Sequence, residues 1–334
     1  MTLPLGFGQS NQSNDPEITA VLERLYELDP TGDRVATVIR DTFDQLYDGQ
    51  RSGRWNYSQL HKTEKTHMGT LIEINLHREF NFEDGDATDY RIAGIQIDCK
   101  YSMSFGQWSL PPEVIGHLAL VISASDDKAT WSAGIVRVDE SLMNLGRNRD
   151  RKGTLSVQGR RGISTLWPEH GRLAPNLFLE LEESKRDKIF GARSAKGSSH
   201  GQARTCELFR QVQGRIIRRA ELATVAQQDD FMKRARGNGG ARSILRPEGI
   251  LVLGHQENDP VIADQLGLPV PKKGEFIAVR VKPATPGAQT ATASIASSYW
   301  TIAEKNDPVH EAPSIPRKRA QEAIEDLRGS YLAT

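Results

Sequence analysis

The sequence predicts a two-domain chain of mixed helix and strand, α/β and α+β in class, with domains over residues 15–170 and 171–334. Three observations support this. The chain has 334 residues, a length that splits more readily into two cores than one. Helical spacing gives way to strand-like runs twice, once in each half. Charge also divides. Residues 1–100 hold 17 Asp or Glu against 10 Lys or Arg, a net of −7. Residues 185–246 hold 15 against 5, a net of +10, although the whole chain is neutral.

Asp15-Pro16 opens a first helix with an N-cap acid and a proline at N1, and Ile18, Val21, Leu22, Leu25 and Leu28 follow at helical spacing. Asp29-Pro30-Thr31-Gly32 breaks it. A second helix carries Val35, Val38, Ile39, Phe43 and Leu46 and stops at Asp48-Gly49. A third spans Lys65 to Phe80 and includes Glu73 and Asn75. After an acidic turn, Tyr90–Ala93 and Ile95–Tyr101 read as a β-ribbon. Leu118–Ala124 is continuously apolar, the mark of a buried strand, and Trp131–Val138 is another strand. Residues 145–161 read as an exposed loop with short helical pieces and a basic knot of Arg147, Arg149, Arg151, Lys152, Arg160 and Arg161. The boundary falls in His170–Pro175, and Arg193–Gln202 reads as a mobile loop. In the second domain Leu208, Phe209, Val212 and Ile216 mark a helix. A shorter helix covers Ala220–Ala226. Another, capped by Asp229 or Asp230, carries Phe231 to Arg236. Strands are expected at Ile250–Leu253, Phe276–Val281 and Ser294–Ile302, and a final helix in the charged tail.

No run approaches the roughly 18 apolar residues of a membrane helix. Met1–Asn14 lacks the charged start and apolar middle of a signal peptide. The expectation is a cytoplasmic protein without a membrane partner. Two cysteines, Cys99 and Cys206, support neither a disulfide framework nor a cysteine zinc site.

The chemistry concentrates in the ribbon. Asp98 and Lys100 are two apart on a strand, so both side chains leave the same face, and Asp89 flanks the same hairpin. Two carboxylates hold a hard divalent cation. The cation polarises a phosphodiester, and the lysine orients the attacking water or helps deprotonate it. Glu73 on the preceding helix adds a third carboxylate. Asp-x-Lys also arises by chance, and a plain ion pair on an exposed strand has the same spelling. The local context favours a site: Ile95, Ile97 and Cys99 take the opposite, buried face.

Longer runs carry more information. His61–Leu71 with Ile72–Phe80, Thr88-Asp89-Tyr90, Ile97-Asp98-Cys99-Lys100, Leu110-Pro111-Pro112-Glu113, Ala226–Arg234 and Gly239–Gly249 closely resemble the NaeI family of restriction endonucleases, from about residue 20 to about residue 320. The resemblance implies a restriction-endonuclease-like mixed sheet flanked by helices, followed by a winged-helix domain like that of catabolite activator protein. It implies a type IIE enzyme: a homodimer that cleaves double-stranded DNA with Mg2+ and is stimulated by a second copy of its site bound to the C-terminal domain. It implies GCCGGC as the target, with a blunt cut, and catalytic roles for Glu73, Asp89, Asp98 and Lys100. Expected metal ligands are Glu73, Asp89, Asp98 and Cys99. Expected DNA contacts are Arg218, Arg219, Gln228, Lys233, Arg234, Arg236, Arg242 and Arg246, the cations mostly on phosphates and Gln or Arg on base edges.

Two further readings stay open at this stage: a winged-helix regulator without cleavage, and a repair nickase with the same active site. Intact Glu73, Asp89, Asp98 and Lys100 argue against the regulator. Leu46-Tyr47-Asp48-Gly49 looks like the Lys-x-Asp-Gly motif of DNA ligases, but Leu46 cannot form a phosphoramide, so the motif reads as a helix end. His61, His67 and His77 do not fall on one helical turn and are not read as a metal cluster. The basic stretch of residues 185–246 has a bland alternative, solvated helix faces that segregate by charge.

Overall fold

A computed structural model describes residues 15–146, 151–168, 171–195, 197, 199–285 and 290–316. Arg147, Arg149, His170, Met1–Asn14 and the expected tail helix beyond residue 316 lie outside the described residues. The chain forms two compact units, residues 1–47 with 55–180, and residues 48–54 with 181–334. The change of unit thus comes ten residues after the expected 170/171 boundary, and a seven-residue piece of the N-terminal half belongs to the second unit.

In the first unit, α1 (Pro16–Leu28) starts at Asp15, whose carboxylate accepts from the main-chain N–H of Glu17 at 3.0 Å and of Ile18 at 3.4 Å. Next come α2 (Asp33–Tyr47), the short α3 (Gly49–Ser52) of the second unit, and α4 (Lys62–Phe80). The fourth helix begins three residues before the expected start. Glu64 Oε2 accepts from His61 N–H at 2.8 Å and so caps a polar first turn, which an apolar repeat beginning at Met68 does not register.

The sheet runs in sequence order: β1 (Glu83–Asp84), β2 (Tyr90–Ile92), β3 (Ile95–Ser102), β4 (Leu118–Ser125), β5 (Thr130–Arg137) and β6 (Ser164–Leu166). A two-residue turn joins β2 to β3, with Ala93 and Gly94 at φ 53° and 75°, the doubly positive geometry that suits a right-twisted hairpin. The β3–β4 pair is parallel and the other pairs are antiparallel, so the sheet is mixed. Helices α1, α2 and α4 cover one face through Leu25, Ile39, Phe43, Ile72 and Leu76, packed on Ile97, Cys99, Leu120 and Ile122. Trp108, Val114, Val121, Val136, Leu155 and Ile163 form the core on the other face.

The described part of residues 145–161 contains the expected helical piece but is less exposed than the expected loop. Leu155 is fully buried, Met143 and Leu155 form a β-bridge, and α5 (Val157–Arg161) follows. The few apolar residues there are too widely spaced to show a period. The unit ends with α6 (Leu177–Glu180).

The second unit holds α3, α7 (Glu183–Gly191), α8 (His200–Gln211), β7 (Ile216–Ile217), α9 (Arg219–Ala226), α10 (Phe231–Ala235), α11 (Ala241–Ile244), β8 (Ile250–Leu253), α12 (Asp259–Gln265), β9 (Phe276–Pro283), β10 (Thr292–Ile295) and β11 (Ser298–Ile302). Strand β9 is central, with β7, β8 and β11 all antiparallel to it. Helix α8 stops at Gln211, so Ile216 belongs to β7 rather than to the helix. The supposed loop of residues 193–202 already contains the start of α8. The expected strand Ser294–Ile302 is a hairpin, broken at Ala296 and Ser297 with φ 50° and 64°. Among the described residues, no helix is long and apolar enough to cross a membrane.

Candidate active site

Asp98 and Lys100 leave the same face of β3 and meet in an ion pair. Lys100 Nζ also lies 3.8 Å from Asp89 Oδ2 and donates to the Cys99 carbonyl at 3.0 Å. Asp89 stands just before β2 and accepts from the Cys99 main-chain N–H at 2.7 Å, so the hairpin itself fixes both acids. Glu73 comes from α4. Its main-chain carbonyl accepts from the Tyr90 hydroxyl at 2.7 Å, which pins that turn of the helix to β2. Tyr90 is buried and holds the helix acid near the hairpin acids; the large aromatic beside Asp89 is its sequence signal.

The electrostatics are those of a site with more acid than base. Burial pushes the Asp98 carboxyl above its ordinary range, only partly opposed by Lys100. Burial and then the Asp89 charge raise Glu73 as well. Burial lowers Lys100, but the hydrogen bond and charge of Asp98, with the charge of Asp89, more than reverse this, leaving the ammonium protonated well above neutrality. A protonated ammonium donates, so it suits orienting a water or steadying negative charge better than taking a proton. Asp98 is 6% exposed, and its Oδ2 lacks a hydrogen bond of good geometry even with Lys100 against it. A carboxylate oxygen accepts more than one bond, so the ion pair with Lys100 leaves Asp98 with acceptor capacity.

That capacity fits a cation. Among the described residues, no three His, Cys, Asp or Glu side chains stand close enough to hold a metal by themselves. Magnesium needs no such cage, because it commonly takes one or two carboxylates with water and phosphate oxygens completing the shell. Asp89 and Asp98 meet that requirement, with Glu73 further out. Cys99 needs correction as a side-chain ligand. Its thiol lies in the core on the helix-covered face, and burial pushes it up to about 12. Only its carbonyl, already facing Lys100, is on the site side. His77 contacts Asp84 at 3.0 Å and joins no metal cluster.

The eight expected DNA contacts separate into two groups. Arg218 caps α9 through Glu221, Gln228 donates to Asp230 at 2.5 Å, and Arg234 pairs with Asp230 at 3.0 Å. Arg242 is salt-bridged to the buried Asp259, and Arg246 holds the Ala312 carbonyl and Glu311. Arg219 lies over the Phe231 ring at 5.0 Å. Lys233 and Arg236 are exposed and make no side-chain hydrogen bond or ion pair among the described residues. Beside Arg236 opens a cleft of about 580 Å³ whose lining includes Asn238, Arg242, Ser243, His255 and Gln256. Sequence reasoning missed Asn238, His255 and Gln256, whose only signal was polarity next to glycines.

The profile of the NaeI restriction endonuclease family matches residues 19–311. The Type II restriction enzyme NaeI of Lentzea aerocolonigenes is 59% identical over 319 residues, 96% of this chain and 99% of that protein. These matches, together with the mixed α/β architecture, place the protein among type II restriction endonucleases, site-specific deoxyribonucleases that act on double-stranded DNA. The chain belongs to the NaeI restriction endonuclease family. Enzymes of this kind generally use a divalent metal ion.

Proposed function

We propose that this endonuclease is a homodimer of type IIE that cuts GCCGGC to blunt ends with Mg2+ and is stimulated by a second copy of the site. Asp89 and Asp98 hold the metal, joined by the Cys99 carbonyl and, at longer reach, Glu73. When bound, the cation supplies Lewis acidity at the scissile phosphodiester. Lys100 donates to the attacking water and steadies the charge that grows on phosphate oxygens. Asp98 and Asp89 hold the ammonium in place, and Tyr90 keeps the Glu73 turn against the hairpin. The observation that carries this reading is Lys100 poised between two carboxylates, one of them buried with an acceptor to spare.

In the second unit, we read α8, α9 and α10–α11 with β7, β8 and β9 as a winged helix. The order of elements supports this: α8, strand β7, the helices α9, α10 and α11, strand β8, helix α12 and strand β9, with β7 and β8 on opposite sides of β9. In that reading α10 and α11 face the effector duplex, Lys233 and Arg236 meet phosphates, and the paired arginines mostly build the surface. The dimer and the target sequence rest on likeness to the NaeI enzyme.

Digestion of a plasmid with and without Mg2+, followed by sequencing of the ends, tests the proposal. Blunt ends within GCCGGC that require Mg2+ are expected. Random ends or nicks alone would overturn it in favour of a nickase, and binding without cleavage would favour a regulator.

A further inference from the structure

The ligase-like stretch ending α2 sits at an unusual place in the chain. The polypeptide passes between the two units three times: after Tyr47, before Trp55 and after Glu180. In the first unit, all three points are tied to one buried carboxylate. Asp126, 2% exposed, follows directly after β4. It accepts from Arg40 of α2, from the Tyr47 hydroxyl at 2.5 Å and from Asn176 Nδ2 at 2.9 Å. The same Asn176 amide donates to the Trp55 carbonyl at 2.8 Å. Asn176 Oδ1 accepts from Phe178 N–H at 3.1 Å, fixing the start of α6, the short helix that ends at the third crossing. Tyr47, Trp55 and Asn176 are thus registered against one another through Asp126.

The node borders the elements that carry the acid cluster. Arg40 and Tyr47 sit on α2 with Thr42 and Gln45, and the Asn75 amide reaches both of the latter at 2.9 Å. Asn75 is two residues from Glu73 on α4. Asp126 directly follows β4, the strand that pairs in parallel with β3, which carries Asp98 and Lys100. At its other end, the excursion of residues 48–54 is built into the second unit. A Cβ on Gly49 would stand 2.0 Å from Thr224 Oγ1 of α9, so only glycine allows that approach. Gln50 Nε2 donates to Asp229 Oδ1 at 3.1 Å, in the turn before α10.

We propose that the buried Asp126–Arg40–Tyr47–Asn176 node is the coupling element through which duplex bound at the second unit changes cleavage in the first. The inference rests on the two-site reading above. The physical basis is that a buried hydrogen-bonded network has few discrete arrangements. A shift in the turn before α10 is carried along covalent chain to Tyr47 and Trp55, and from there through Asp126 to α2 and β4. The node positions residues and touches no substrate.

The test uses full-length parent, Tyr47→Phe and Asn176→Ala proteins on a supercoiled plasmid with a slowly cut site, with and without a short GCCGGC duplex. Tyr47→Phe keeps the ring and removes one hydrogen bond, so it is the variant least able to unfold the protein. Its unstimulated rate should stay within about two-fold of the parent, while duplex stimulation falls about five-fold or more. Duplex affinity, read by fluorescence anisotropy, should be retained, which a merely structural defect would not predict. Equal stimulation of parent and Tyr47→Phe overturns the coupling role, as does a parallel fall of both rates. An unstimulated parent overturns the two-site reading, and the coupling role with it.

Discussion

The acids of residues 73–98 and the arginines of residues 218–246 are both dense charge clusters, and the fold treats them in opposite ways. In the first unit two carboxylates share one lysine and a third stands on the neighbouring helix, and two of the three are raised by burial. In the second unit most arginines are matched to acids nearby: Arg218 to Glu221, Arg234 to Asp230, Arg242 to Asp259, Arg210 to Glu248. A charge that is already paired holds the structure together, and a charge left over is available for a ligand. The net charge of a segment does not separate the two; the partners of each residue do.

The largest expected effect breaks the unbalanced side. Asp98→Ala should lower Mg2+-dependent cleavage by about 10³-fold or more, since a metal-held transition-state charge is worth several kcal/mol. DNA binding by gel shift should persist. Normal cleavage by this variant would show that the buried acid is not a metal ligand.

The next tests sharpen the paired side. Arg242→Ala should destabilise the second unit by about 3 kcal/mol, because it leaves Asp259 buried and unpaired. Arg236→Ala should change stability by no more than about 0.5 kcal/mol, and instead reduce the salt slope of DNA binding by about one. Denaturant unfolding and a salt titration of affinity separate the two. If both arginines behave alike, pairing does not decide their roles.

The last test concerns an acid of the first unit that does have a cation. Asp15 accepts from Arg137 at 2.6 Å and caps α1, and that hydrogen bond is the main reason its carboxyl lies below the usual range. Asp15→Ala should cost about 1 kcal/mol at neutral pH. Because the folded pKa is depressed, the stabilisation is complete above the ordinary carboxylate value. It drains away as pH falls from there through the lowered one. The melting-temperature gap between parent and variant should therefore close in acid; a constant gap would assign the effect to helix propensity alone.

The acid cluster was legible because β-spacing and a two-residue turn act locally: Asp89, Asp98 and Lys100 lie within twelve residues of one another. Helices α1 and α2 were legible through their apolar spacing. Helices α7 and α12 were not, being short and polar in several turns. The Ala296–Ser297 break was invisible because neither residue type advertises positive φ. The Cys99 thiol went to the core because neighbouring side chains on a strand alternate, the same rule that aligned Asp98 with Lys100. Least legible was Asp126, whose partners Arg40, Tyr47 and Asn176 lie 86, 79 and 50 residues away; no local pattern announces such a meeting.

The assignment of residues 48–54 to the second unit bears on how these units can be exchanged. A graft that moves residues 181–334 onto another nuclease leaves behind the segment that packs closely on Thr224 and hydrogen-bonds Asp229. A working transplant must carry two pieces of chain with three junctions. Recombination at a single breakpoint therefore yields a second unit with a missing part, a barrier to shuffling that lies in the path of the chain and in no single residue.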